Sequence, residues 1–141
     1  MTLAISGSSQ ELKELYKLAI AAREKSYSPY SGHKVGAAIL TSDGKTYTGC
    51  NVENSSFGAT VCAERVAVQK AVSENGKLTL KAVMVVTSAT PPWPPCGMCR
   101  QVLAEFGEDF LVHTANPQGN LETYPFQELF PKGFTPSHMK T

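Results

Sequence analysis

Three of the four cysteines in this chain fall in two short stretches, Cys62-Ala63-Glu64 and Pro95-Cys96-Gly97-Met98-Cys99. Thiolates act as nucleophiles or metal ligands, and a carboxylate two residues from a thiol can carry protons beside it. Cys96 and Cys99 form a C-x-x-C pair. If a helix starts there, both sulfurs lie on its first turn and face the same way. That turn offers free backbone N–H groups and the positive end of the helix dipole, which stabilise anions. Cys62 stands at the expected start of another helix, with the same consequence. Two such helix ends on one edge of a sheet bring three thiolates together, and these repel unless a cation sits among them. Zn²⁺ at about 2.3 Å from each sulfur satisfies the set, and three protein ligands leave the fourth tetrahedral position open, as in catalytic zinc sites. Cys50 could close the site, but it stands at a strand end before a long loop and reads as a small apolar residue. Glu64 is then a proton carrier beside the open position rather than a ligand. The plainer alternatives are a redox or buried C-x-x-C and a Glu64 that merely favours a helix N-terminus.

The elements that must hold these groups follow from the pattern around them. Ser8 and Glu11 have capping-box spacing, and Leu12, Leu15, Tyr16, Ala19 and Ile20 recur at helical period, which predicts a helix over 9–26 after a loose leader, 1–7. Ser28 to Gly32 is turn chemistry. Lys34 to Leu40 and Thr46 to Cys50 are strands joined by the tight turn Ser42-Asp43-Gly44-Lys45, a hairpin. A helix follows from Cys62 to Ser73, with Gly76 as its stop. Leu80 to Thr87 is a buried strand. The four prolines of Ala89 to Pro95 make a rigid loop. A helix over 96–106, a strand over 110–115, a short strand over 121–124 and a helical turn at Phe126 to Phe130 complete the chain. A hairpin followed by alternating strands and helices predicts an α/β fold: one domain over 1–141, a three-layer α-β-α sandwich around a mixed, about five-stranded sheet.

Composition narrows the function. The chain has 141 residues, 42% of them apolar, enough for one core without disulfides. The net charge is +1 with no basic cluster, which disfavours a nucleic-acid polymer as partner. No apolar run approaches the roughly 20 residues of a membrane span. No secretory leader is visible, so the expected location is the cytoplasm, where cysteines stay reduced.

Cys62-Ala63-Glu64 followed by Pro95-Cys96-x-x-Cys99 is similar to the zinc nucleobase-deaminase signature in its three-cysteine form. Over most of its length the chain resembles the small homotetrameric cytidine deaminases. The matching stretches are Ser26 to Ser31, Val35 to Gly44, Thr48 to Gly58, Cys62 to Arg65, Pro95 to Phe106 and Leu129 to Phe134. The resemblance implies one Zn²⁺ per chain on Cys62, Cys96 and Cys99, with Glu64 as the catalytic acid–base. Arg65 can donate hydrogen bonds to the thiolates and offset their charge. Asn51 and Glu53 match the pair that binds sugar hydroxyls, and Ala63 matches a backbone contact to the pyrimidine edge. Phe57 and Phe134 match aromatics that reach the substrate of a neighbouring subunit, so the partners implied are a small nucleoside and three further copies of the chain, with shared active sites. Two positions depart from the pattern. His33 stands where a phenylalanine packs on the base, and Pro94 where a serine precedes Pro-Cys-Gly. The implied reaction is hydrolytic deamination of free cytidine and deoxycytidine to uridine and deoxyuridine, with ammonia released in pyrimidine salvage. The alternative is a modified aminopyrimidine nucleoside, such as blasticidin S or an N4-substituted cytidine, favoured by His33 and the proline loop with Trp93. His113 is expected to be structural.

Overall fold

The structure is a computed structural model that describes residues 9–139 in full and the backbone of Leu3 and Ala4. Its strands are β1 (Leu3–Ala4), β2 (Gly36–Thr41), β3 (Thr46–Cys50), β4 (Leu80–Val86), β5 (Leu111–Ala115) and β6 (Asn120–Pro125). Its α-helices are α1 (Gln10–Arg23), α2 (Ala63–Asn75), α3 (Gly97–Ala104) and the single turn α4 (Phe126–Leu129).

The sheet order is β1-β6-β5-β4-β2-β3. Among the described strands only β4 and β5 run parallel; every other pair is antiparallel. The five expected strands are all present. The sixth, β1, lies in the stretch taken as a loose leader, where Leu3 pairs with Leu121 and Ala4 with Asn120. Two residues with no apolar alternation carry no strand signal of their own; the open edge of β6 supplies the partner.

Helix α1 starts one residue later than the capping-box spacing predicts. Its cap is Ser9, whose hydroxyl accepts the Leu12 N–H at 3.3 Å. Ser8 lies outside the described residues. Leu15 and Ala19 are fully buried on one face of the sheet among Ala38, Leu40, Ala82, Met84, Val86 and Ala115, with Leu12, Tyr16 and Ile20 packed alongside. The opposite face carries α2 and α3 through Ala67, Val68, Ala71, Leu103 and Ala104, which pack on Ile39, Val83, Val85 and Val112. A sheet buried on both faces explains why β2 and β4 are continuous apolar runs rather than alternating ones.

Two glycines set how closely the helices approach. A Cβ on Gly36 would stand 2.0 Å from the Ala19 carbonyl oxygen, and one on Gly49 would stand 2.4 Å from the Ala63 carbonyl oxygen and 2.6 Å from the Ala67 nitrogen. The first turn of α2 therefore rests directly on the backbone of β3.

Candidate active site

Cys62 is the N-cap residue of α2 and Cys96 that of α3; neither side chain caps its own helix. Cys99 lies on the first turn of α3 and is fully buried. Cys96 Sγ is 3.9 Å from Cys62 Sγ and 3.4 Å from Cys99 Sγ, and all three sulfurs lie within 4.8 Å of one another. Three sulfurs each about 2.3 Å from one zinc stand roughly 3.8 Å apart in a tetrahedral set, so the spacing suits that ion. This is the one such group of potential ligands among the described residues. Cys50 is not part of it, and is half-buried rather than buried.

The electrostatics point the same way. Hydrogen bonding from Cys99, helped by Arg65, pulls the Cys62 thiol well below its usual range. The same hydrogen bond, together with burial, pushes Cys99 far up. The three thiols cannot all ionise in each other's company unless a cation joins them. Arg65 extends one Nη to the Thr60 carbonyl at 3.2 Å and to Cys62 Sγ at 3.7 Å, as expected of a residue that offsets thiolate charge. Its Nε is buried with no hydrogen-bond partner among the described residues. The donor set thus fits a cation, and the charge around it is arranged for one.

Glu64 is 4% exposed, on the first turn of α2. Burial raises its carboxyl to about 7, with the neighbouring Cys62 charge adding to the effect. A carboxyl near neutrality can both take and return a proton.

These groups open into a cavity of about 240 Å³. Its lining includes Cys62, Ala63, Glu64 and Cys96 and the polar residues Asn51, Glu53 and Thr60. Val35, Val85, Thr87, Trp93 and Pro94 complete the wall. The polar part of the lining is held by cross-links between loops. Tyr27 N–H donates to the Asn51 carbonyl and Glu53 N–H to the Tyr27 carbonyl, while Val52 and Val61 exchange both backbone bonds. The Asn51 amide donates to the His33 carbonyl at 2.8 Å. Its oxygen accepts from the Val35 N–H at 2.9 Å and from the Ser26 hydroxyl. Glu53 accepts from the N–H groups of Tyr30 and Ser31 at 2.9 and 3.1 Å and from the Ser31 hydroxyl, which with these backbone donors lowers its pKa. An amide has four hydrogen-bonding places, so Asn51 keeps one N–H for a ligand; Glu53 keeps acceptor capacity.

His33 does not line the cavity. It is exposed and lies edge-on against Trp93, with ring centroids 5.4 Å apart. Phe57 and Phe134, 74% and 57% exposed, also stand outside it. Phe57 meets Tyr30 and Phe134 stacks on His138. Val35, Thr60, Val85 and Thr87 carry no chemical signature in the sequence and reach the cavity only through the fold.

Residues 9–114 match the family described as "Cytidine and deoxycytidylate deaminase zinc-binding region". The chain belongs to this family. A cytidine deaminase of Halalkalibacterium halodurans is 48% identical over 126 residues, covering 89% of this chain and 95% of that one. The crystal structure of a cytidine deaminase from Burkholderia pseudomallei superposes with a TM-score of 0.83 at 42% identity, covering 90% of this chain and 100% of that one. A blasticidin-S deaminase of Bacillus cereus is a more distant relative, 32% identical over 73% of this chain and 78% of its own. The mixed sheet with helices on both faces, the deaminase relationship and the zinc-binding character expected from the sequence all stand.

Proposed function

We propose that the protein hydrolyses the exocyclic amino group of free cytidine and deoxycytidine, giving uridine or deoxyuridine and ammonia. The observation that carries this is the pairing of a buried carboxyl, Glu64, with the thiol cluster in a cavity that Asn51 and Glu53 also line. Cys62, Cys96 and Cys99 would hold the zinc. When bound, the metal supplies Lewis acidity and makes water a stronger acid and nucleophile near pH 7. Glu64 takes a proton from the attacking water on its carboxylate and delivers it to the ring nitrogen N3. It then carries the second water proton to the leaving amine, so that water enters and ammonia departs. Asn51 and Glu53 orient the sugar, the amide through its remaining N–H and the carboxylate as acceptor. The Ala63 backbone faces the pyrimidine edge.

A homotetramer with shared sites and a cytoplasmic location belong to the same reading. Its support is the exposure of Phe57 and Phe134, and an apolar groove of about 400 Å³ between α2 and α3 lined by Val68, Val72, Val102 and Phe106. Among the described residues no helix is long and apolar enough to cross a membrane. A modified aminopyrimidine nucleoside of the blasticidin S kind is the second reading, favoured by the His33–Trp93 pair beside the cavity.

The test is ammonia release from cytidine by zinc-loaded protein, with Glu64→Ala as comparison. General acid–base catalysis by one group corresponds to about 10²–10⁴-fold in rate, so release should fall by at least that factor while zinc stays at one per chain. Zinc retained with no release by the wild type would reject cytidine as substrate, and blasticidin S and N4-substituted cytidines would be assayed next.

A further inference from the structure

One cavity is lined both by Cys62, Glu64 and Cys96 and by Asn51 and Glu53, and on the nucleoside reading it holds a flat heteroaromatic ring. Among the described residues lining it, Trp93 is the single aromatic one. It is still 49% exposed, so it keeps surface for a ligand to cover. Its position is fixed by its surroundings. Prolines at 91, 92, 94 and 95 restrict the backbone on both sides, and Pro95 is fully buried. Asn116 donates from Nδ2 to the Ala89 carbonyl at 3.1 Å and to the Thr90 hydroxyl at 3.0 Å, which ties the start of this loop to the end of β5. His33 meets the indole edge-on from the loop before β2, and Asn51 holds the His33 carbonyl.

We propose that Trp93 is the residue on which the pyrimidine stacks, and that His33 is a positioning residue that steadies the indole from outside the cavity. This rests on the nucleoside reading above and assigns its base contact. The histidine at 33 supports the stacking surface and does not supply it. A ring stacked on the indole in both ground and transition states is bound uniformly, so the contact acts on KM and leaves kcat nearly unchanged.

Trp93 is the only tryptophan in the chain, so its fluorescence reports this contact without turnover. Zinc-loaded Glu64→Gln protein is titrated with cytidine, and the kinetics of wild type, Trp93→Phe, Trp93→Ala, His33→Ala and the Trp93→Ala/His33→Ala double variant are compared. Saturable quenching is expected. Base–aromatic stacking predicts that Trp93→Ala raises KM about ten- to a hundredfold with kcat changed less than about threefold. Trp93→Phe keeps most of the affinity. His33→Ala raises KM by a smaller factor, and by nothing further when Trp93 is already alanine, because it acts through the indole. Ammonia release with unchanged fluorescence, or an unchanged KM in Trp93→Ala, overturns the stacking while the deamination stands. Quenching by cytidine with no ammonia release by the wild type supports the stacking and sinks the reaction. Neither quenching nor release rejects both.

Discussion

Gly49 puts a sharp test on the way the fold positions its chemistry. An alanine Cβ there would stand 2.4 Å from the Ala63 carbonyl oxygen. Ordinary contact begins near 3.4 Å, so the start of α2 must retreat by about 1 Å. The two nearest neighbours are backbone and the third is Val66 Cβ, so no rotamer change relieves the clash. Overpacking of this kind costs about 1–3 kcal/mol, against roughly 0.5–1 kcal/mol gained because alanine loses less chain entropy than glycine in a strand. The net loss of stability is modest, and the effect on the site is not. Cys62, Ala63 and Glu64 all ride on the displaced turn, and a 1 Å misplacement costs on the order of 10²-fold in rate. Gly49→Ala should therefore lose about a hundredfold in kcat/KM for ammonia release, and bind zinc more weakly in a chelator competition, with a Tm only a few degrees lower. Gly97→Ala is the matched comparison. It lies inside the C-x-x-C pair, but nothing stands within 4 Å of its Cβ position. It should keep wild-type activity. Gly49→Ala with full activity and full zinc affinity would refute the claim that β3 sets the position of the site.

Two other outcomes follow from single side chains. His113 is buried against Thr123, and burial lowers its pKa from 6.5 to about 4, with Glu11 opposing weakly. The unfolded chain therefore takes up a proton that the folded one refuses. Stability should fall as pH drops from 6.5 towards 4, by about 3 kcal/mol in all, and the part of that slope due to His113 should vanish in His113→Gln, read by denaturant unfolding at each pH. Arg65→Ala should weaken zinc binding by about 10–100-fold in a chelator competition, the usual cost of losing a group that orients a ligand, because Cys62 loses its nearest cation.

The site was legible in the sequence where its chemistry is local. Cysteines that open helices announce themselves through spacing and through the turns and prolines around them, and Cys62 and Cys96 fall within a residue of where that spacing predicts. The hairpin was legible for the same reason: Asp43-Gly44 permits few other structures. What stayed hidden depends on distant partners. Strand β1 exists because β6 has a free edge. The cap of α1 is Ser9 because two adjacent serines offer the same hydroxyl and the register of Leu15 and Ala19 on the sheet decides between them. Gly36 and Gly49 look like ordinary strand residues until a helix is laid across them. The family resemblance leads us to expect His33 against the base, but its ring meets Trp93, a contact between two loops that no local pattern encodes.

The amide of Asn51 has a consequence for how variants of this protein should be interpreted. Three of its four bonding places tie together Ser26, His33 and Val35, so its rotamer is fixed before any ligand arrives. On the proposed reading, a sugar hydroxyl that meets it does not have to freeze a side chain, a saving of about 0.5–1.5 kcal/mol on each binding event. The same economy makes the residue a poor probe of recognition. Asn51→Ala would strand the Val35 N–H and the His33 carbonyl, and slacken the loop behind Trp93. Its lost activity would measure the collapse of a strut as much as the loss of a handhold.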